Sequence, residues 1–112
     1  FRSLSKKGVT EEFPFDEDTL VFKVMGKMFL LVSISATPLT CNLKMDIGLI
    51  EEYREKYFDV QPGYHMSKKH WNSVIFDSGN IPRKELFWMI AHSYNEVVKG
   101  LSKKISDDLN KL

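Results

Sequence analysis

The chain has 112 residues, of which 43% are hydrophobic, 12% aromatic and 28% charged. This composition is typical of one folded domain and excludes a disordered or membrane-embedded chain. The 16 basic and 15 acidic residues leave a net charge of +1, which excludes a strongly basic protein that coats nucleic acid by bulk charge. We expect a single domain over residues 1–112.

The charges are distributed unevenly between the two halves of the chain. Residues 1–60 carry 8 basic and 10 acidic side chains, a net charge of −2, whereas residues 61–112 carry 8 basic and 5 acidic ones, a net charge of +3. We therefore expect a negatively charged partner to contact the second half of the chain.

The single cysteine, Cys41, excludes an intramolecular disulfide and a cysteine-based zinc finger. It lies on the apolar side of an alternating run, which predicts a buried thiol. An unpaired cysteine is typical of a reducing compartment. The first seven residues lack the apolar stretch of a signal peptide, and the longest apolar run, Met28 to Val32, is too short to span a bilayer. We expect a cytoplasmic protein without membrane contacts.

The first part of the chain predicts a helix followed by three strands. Residues up to about Lys7 are interpreted as the end of a helix, with Gly8 at the position after its C-cap. The alternating segments Thr19–Met25 and Met28–Ser35 predict a hairpin that turns at Gly26. Because Met25 is unfavourable at the first place of a type I′ turn, we expect another turn type.

The third strand and the first long helix follow directly. Leu39 to Met45 alternates cleanly between apolar and polar residues, with Cys41 and Leu43 on the inner side. Asp46 is a favourable N-cap for a helix that ends near Tyr57. The residues that we expect on its buried face are Ile47, Ile50, Tyr53 and Tyr57.

The second half predicts two strands and a long helix. Tyr64–Met66 and His70–Phe76 are interpreted as strands joined by a turn at Ser67–Lys69. Pro82 suits the first position of a helix that runs to Lys99. The apolar stripe of this helix can continue into a terminal helix. The order α-β3-α-β2-α predicts a two-layer α+β domain with one antiparallel sheet. The residues of the helical stripe are Leu86, Phe87, Ile90, Tyr94, Val97, Val98 and Leu101, and those of the extension are Ile105 and Leu109.

No catalytic motif is present in the sequence. It lacks the Gly-x-Ser-x-Gly, Walker A and Gly-x-Gly-x-x-Gly patterns, and its carboxylates are interpreted as solvated turns and helix surfaces. The three histidines, His65, His70 and His92, are too few and too irregularly spaced to indicate a zinc site. We expect no enzymatic activity, no metal and no cofactor.

The segment Pro62–Asn72 concentrates basic and aromatic side chains. Lysines neutralise phosphates, aromatic rings stack on bases or sugars, and an asparagine can bond a base edge. The alternative interpretation is that Trp71 packs in the core and that the two lysines form an ordinary polar turn. The residues concerned are Tyr64, His65, Lys68, Lys69, His70, Trp71 and Asn72.

The last long helix carries a second unusual set of residues. Trp88, His92, Asn95 and Lys99 lie opposite its apolar stripe. A tryptophan on that side is covered by the C-terminal tail, or it contacts a partner subunit or a nucleic-acid backbone. The sequence leaves these alternatives open.

A series of short motifs lies in a fixed order along the chain, from about Gly8 to Leu101. They are Phe13-Pro14-Phe15, Val21-Phe22-Lys23-Val24, Gly26-Lys27-Met28-Phe29, Asn42-Leu43-Lys44, Pro62-Gly63-Tyr64-His65-Met66, Lys68, His70-Trp71-Asn72-Ser73-Val74, His92-Ser93-Tyr94 and Val97-Val98. Together they resemble the MmcQ/YjbR family. The resemblance implies a fold like that of bacterial frataxin (CyaY) or of type III secretion chaperones, α-β3-α-β2-α.

The family is described as binding DNA through a double wing, in which hairpins flank the contact surface. The resemblance therefore implies contacts from Lys23 and Lys27 at the first hairpin and from Lys68, Lys69 and His70 at the second. Met25 departs from the small turn residue that is usual before the Gly-Lys pair.

Three hypotheses about function follow. The leading one is a DNA-binding or regulatory protein that contacts double-stranded DNA through the two hairpins. The second is a protein- or peptide-binding adaptor, suggested by the chaperone-like fold and Trp88. The third is a small-molecule-binding protein or enzyme that uses Tyr64, His65 and His70.

Overall fold

A computed structural model describes residues 7–15, 17–35, 38–63 and 69–112. These residues form six strands in one sheet, in the order β1-β2-β3-β4-β6-β5, together with three helices. The strands are β1 (Val9–Glu12), β2 (Thr19–Val24), β3 (Lys27–Ser33), β4 (Thr40–Lys44), β5 (Val60–Pro62) and β6 (Trp71–Ile75). The helices are α1 (Ile47–Lys56), α2 (Arg83–Lys99) and α3 (Lys103–Asn110).

Every pair of neighbouring strands in this sheet is antiparallel. This confirms the predicted α+β fold with one antiparallel sheet. A row of small apolar residues crosses the sheet, since Val32 pairs with Cys41, Cys41 with Val74 and Val74 with Val60. These four side chains join a core cluster with Leu86, Met89 and Ile90 of α2. The prediction of a buried Cys41 is confirmed, because its exposed fraction is 0%.

The structure adds an edge strand that the sequence analysis did not predict. β1 pairs with β2, and Glu11 and Glu12 on it are exposed, so it has no apolar alternation that would reveal it. Pairing with β2 alone supplies its hydrogen bonds. The predicted helix before Gly8 lies almost entirely outside the described residues.

The strand before β6 lies earlier in the chain than expected. It is Val60–Pro62, whereas the predicted strand Tyr64–Met66 lies outside the described residues. Val60 pairs with Val74 and is fully buried, and burial of this side chain stabilises the short segment as a strand. Pro62 is tolerated there because β5 is an edge strand.

The expectation that Met25 prevents a type I′ turn between β2 and β3 is wrong. The two turn residues, Met25 and Gly26, have φ angles of +49° and +83°, so both occupy the region that a type I′ turn requires. The Met25 N–H donates to the Gly8 carbonyl at 3.2 Å, and its side chain packs against the edge of the core. These tertiary contacts hold a residue whose local preference is against this turn.

The predicted N-cap of α1 is confirmed. The Asp46 carboxylate accepts a hydrogen bond from the Gly48 N–H at 3.0 Å, and Ile50 and Tyr53 are buried on the inner side of α1. The placement of Ile47 on that side is wrong, because its exposed fraction is 56%. Pro82 is the N-cap of α2 and not its first helical residue, since its ψ of 140° keeps it extended.

Three consecutive residues of α2 dock this helix onto the backbone of the sheet. His92 Nε2 accepts from the Asp46 N–H at 3.1 Å, and the Tyr94 hydroxyl donates to the Lys7 carbonyl at 2.6 Å. Between them, the buried Ser93 hydroxyl donates to the Phe29 carbonyl at 2.5 Å and accepts from the Lys44 N–H at 2.8 Å. Ser93 therefore joins α2 to the ends of β3 and β4.

We predict that Gly8→Ala destabilises the protein more than Gly26→Ala does. Both glycines have positive φ, +74° and +83°, a conformation that costs an alanine roughly 1–2 kcal/mol. A Cβ at Gly8 would also lie 2.7 Å from Leu109 Cδ1 of α3, whereas one at Gly26 would meet nothing within 4 Å. Urea denaturation of both variants measures the difference, and equal losses would show that Leu109 moves away without cost.

We predict that Ser93→Ala lowers the free energy of unfolding by about 1–3 kcal/mol, because the buried Phe29 carbonyl loses its donor and the partly buried Lys44 N–H loses its acceptor. Ser106→Ala on α3 is the matched control. The Ser106 hydroxyl has no hydrogen-bond partner in the described part of the chain, so its loss should change stability by less than about 0.5 kcal/mol. Chemical denaturation compares the two, and a Ser93→Ala variant as stable as the control would contradict the bridging role.

Candidate nucleic-acid interface

The described ends of both predicted DNA-binding hairpins lie at the same end of the sheet. β2 ends at Val24 and β3 begins at Lys27, while β4 ends at Lys44 opposite the first residue of β6, Trp71. Because the strands are antiparallel, the β2–β3 turn, the end of β4 and the start of β6 lie together. We call this region the hairpin end, defined by Met25–Lys27, Lys44 and Lys69–Trp71.

A cavity of about 210 Å³ opens at the hairpin end. Two lysines, Lys27 and Lys44, and the partly exposed Trp71 line it together with apolar side chains. The cavity therefore combines two cations, an aromatic ring and an apolar floor in one place. Its full lining is Lys27, Met28, Lys44, Trp71, Val97, Gly100 and Leu101.

The residues before Trp71 extend the basic character of this end. The His70 carbonyl accepts from the Met45 N–H at 2.9 Å, which fixes His70 beside the end of β4. Lys69 is exposed and His70 is half-buried. The predicted contact residue Lys68 and the neighbouring Tyr64 and His65 lie outside the described residues.

The lysines predicted at the first hairpin differ in their electrostatic environment. Lys23 forms an ion pair with Glu12 of β1, so a nearby carboxylate balances its charge. Lys27, Lys44 and Lys69 have no ion-pair partner in the described ranges. At the hairpin end, the charge of these three lysines is therefore available to an anionic partner.

The prediction that Asn72 contacts a base edge is wrong. Asn72 has an exposed fraction of 0%, and its Nδ2 donates to the Ile50 carbonyl at 3.1 Å while its Oδ1 accepts from Arg54 Nε at 2.6 Å. Side chains alternate along β6, so Trp71 lies opposite Lys44 on one face and Asn72 opposite Leu43 on the other. This amide holds α1 against the sheet.

Lys44 was not among the predicted DNA-binding residues, although the alternating pattern of its strand could have indicated it. Lys44 is an outward-facing position of the alternating segment Leu39–Met45, and it lies two residues before the N-cap Asp46. Strand pairing, which local sequence does not specify, then places it opposite Trp71. Arg54 was likewise missed, since its contacts with Asn72 and with the Trp71 carbonyl connect segments distant in sequence.

Trp88 belongs to a stack of four rings that crosses from α1 to α2. Its ring is nearly parallel to that of His92, with centroids 4.9 Å apart, and to that of Tyr53, at 5.9 Å. Tyr53 stacks in turn on Tyr57 at 6.2 Å. Trp88 nevertheless keeps an exposed fraction of 46%, so the stack covers only part of it. Lys99, predicted on the same surface, is paired with Glu96 at 3.0 Å.

Two titratable groups, Tyr53 in the ring stack and Cys41 in the core, have raised pKa values. Burial raises the pKa of the Tyr53 hydroxyl well above its ordinary value, and the hydrogen bond that it donates to Glu85 Oε1 at 2.5 Å raises this pKa further. Burial raises the pKa of the Cys41 thiol to about 12, with a smaller contribution from Asp77. A thiol with such a pKa is a poor nucleophile near neutral pH.

Within the described ranges, no three histidine, cysteine or acidic side chains lie close enough to hold a metal ion. Among the described helices, none has the length and apolar character needed to cross a membrane.

Comparison with known proteins connects this geometry to a family. The YjbR family model matches residues 4–96. YbdF of Escherichia coli O157:H7 is 39% identical over 92 residues, which cover 82% of this chain and 75% of YbdF. YjbR of Escherichia coli K12 is 27% identical over 101 residues, covering 90% of this chain and 85% of YjbR. Both relatives are described as uncharacterized proteins.

Solved structures agree with these sequence matches. The crystal structure of DR2400 from Deinococcus radiodurans, a protein with a DUF419 domain, has a TM-score of 0.88 and 38% identity, covering 95% of this chain and 80% of that one. A Pseudomonas syringae protein has a TM-score of 0.70 at 24% identity, covering 84% of this chain and 91% of that one, and supports the fold alone. The family match extends over all strands and α1 and over most of α2, so the chain belongs to the YjbR family.

Proposed function

We propose that this YjbR-family protein binds double-stranded DNA at the hairpin end, as a binding or regulatory protein that catalyses no reaction. The observation that carries the proposal is that Lys27 of one hairpin and Trp71 of the other line the same cavity, together with Lys44. We place the protein in the cytoplasm, because a reducing environment suits its buried, unpaired Cys41.

The chemistry of the hairpin end suits a phosphate backbone. Lys27, Lys44 and Lys69 are not neutralised by a carboxylate among the described residues, and Lys27 and Lys69 are exposed. Phosphate contacts supply most of the affinity of such interfaces and position the protein on the duplex. Trp71 adds a partly exposed ring that can pack against a sugar.

The family resemblance supports the same surface independently. The double-wing description requires two hairpins that flank one contact surface, and the described ends of both predicted hairpins lie at the hairpin end. Lys23 and Asn72 are not part of the proposed interface, because one is paired with Glu12 and the other is buried. Three lysines can neutralise only a few phosphates, so we expect weak binding that depends strongly on salt.

We predict that the wild-type protein binds a duplex with a log–log salt slope of about −3, since each neutralised phosphate contributes roughly −0.9. Lys27→Glu/Lys69→Glu should weaken binding at low salt by at least about tenfold and should reduce the magnitude of the slope by about 2. Fluorescence anisotropy of a labelled duplex across a salt series measures both quantities.

The matched control is Lys56→Glu/Lys84→Glu, which makes the same change in net charge. Both residues are exposed and lie toward the opposite end of the sheet, because α1 ends and α2 begins there. This control should bind DNA nearly as well as the wild type at equal salt. The proposal fails if the wild type does not bind at low ionic strength, or if the two double variants lose affinity equally.

Binding of a protein partner at the Trp88 stack is a second candidate function. A ring stack held by two helices presents a rigid aromatic edge, and tryptophan is enriched among the residues that anchor protein interfaces. The exposed fraction of 46% at Trp88 is the specific observation that favours it. The partner that we test is a second copy of this chain.

On this hypothesis, we predict that the protein is a dimer in solution and that Trp88→Ala makes it monomeric, because the substitution removes the aromatic anchor. Phe58→Ala is the control, since Phe58 is 89% exposed and lies outside the stack. Light scattering measures the mass of each variant. A monomeric wild type, or a dimer that Phe58→Ala dissociates equally, would exclude this candidate.

A further inference from the structure

A second cavity lies at the end of the sheet opposite the hairpin end. It has a volume of about 350 Å³, is open to solvent and lies between the start of β4, the end of β6 and the first turns of α2. Its lining consists of Leu39, Phe76, Leu86, Phe87 and Arg83. We call it the Arg83 cavity.

Four of the five lining side chains are apolar and pack against the core. Leu86 is buried, and Leu39, Phe76 and Phe87 are partly buried against the same cluster. The Phe76 N–H donates to the Leu39 carbonyl at 2.9 Å, so these two walls are held together by the backbone. The apolar part of the cavity is therefore formed before any ligand arrives.

The fifth lining residue, Arg83, gives the cavity its polarity. Arg83 is exposed in the first turn of α2, and its guanidinium forms no salt bridge with the residues that the structure describes. A guanidinium presents several donors in a planar fork that matches a carboxylate. The cavity thus combines an apolar interior with one unpaired cation that is suited to this anion.

The carboxylate nearest to Arg83 along the chain, Glu85, accepts a hydrogen bond from the Tyr53 hydroxyl at 2.5 Å. The next nearest, Asp77, is also engaged. Both of its oxygens accept from the Leu39 N–H, at 3.0 and 3.1 Å, which ties this carboxylate to the start of β4. Arg83 therefore has no counter-ion among the residues that the structure describes, and an external anion can take that place.

We propose that the Arg83 cavity binds a small monocarboxylate with an apolar body, the body lying against Leu39, Phe76 and Phe87 and the carboxylate pairing with Arg83. The volume is at the lower end of the roughly 300–1,000 Å³ range of ligand pockets, which suits a single ring or a medium-length acyl chain. This inference is independent of the proposed DNA contact, since the two surfaces lie at opposite ends of the sheet.

The test uses octanoate as the probe and octanamide as its uncharged counterpart. Titration followed by ¹H–¹⁵N NMR should shift the backbone signals of Leu39, Phe76 and Phe87, and octanoate should bind at least about fivefold more tightly than octanamide. Arg83→Gln should reduce the affinity for octanoate by about five- to tenfold and leave that for octanamide unchanged.

Lys84→Gln is the matched control, because Lys84 is the exposed neighbour of Arg83, loses the same charge and does not line the cavity. It should bind octanoate like the wild type. The proposal is overturned if octanoate leaves the three signals unmoved at millimolar concentration, if octanamide binds equally well, or if Lys84→Gln weakens binding as much as Arg83→Gln. Arg83→Gln should retain DNA binding, so the failure of one proposal is distinguishable from the failure of the other.

Discussion

The arrangement of helix and strands in this protein depends on the two hydrogen bonds of the Ser93 hydroxyl group. It lies in the interior, donates to the Phe29 carbonyl of β3 and accepts from the Lys44 N–H of β4. A buried backbone N–H or carbonyl without a partner costs free energy, so these two strand ends require a polar group at this exact place. The position of α2 along the sheet is set by that requirement, and the backbone of Lys44 is fixed at the same time.

The other buried polar residues have the same role at different places. Asn72 joins β6 to α1 through the Ile50 carbonyl and Arg54. Asp59 accepts from the Ser78 hydroxyl and from Asn80 Nδ2, which secures the loop before α2 to the start of β5. Each of these side chains connects two elements that apolar packing alone would leave free to slide. The protein therefore uses a few satisfied polar groups to specify one packing arrangement.

Surface ion pairs neutralise some of the basic side chains and leave others unpaired. Lys23 and Lys99 each have a carboxylate partner, whereas Lys27, Lys44 and Lys69 at one end and Arg83 at the other have none among the described residues. The net charge of +1 conceals this separation. Two of these unpaired lysines, Lys27 and Lys44, line a cavity at one end of the sheet, and Arg83 lines a cavity at the opposite end.

The sequence by itself determined the class of the fold, the three central strands, the N-cap Asp46 and the buried Cys41, because these depend on local alternation and capping. Only the tertiary structure decided the features that depend on contacts between distant segments. Pairing with β2 creates β1, a backbone hydrogen bond to Gly8 helps to hold Met25 at positive φ, and the alternation of β6 within the folded sheet buries Asn72. Strand pairing likewise brings Lys44 opposite Trp71, because antiparallel register is a property of two segments together and of neither one alone.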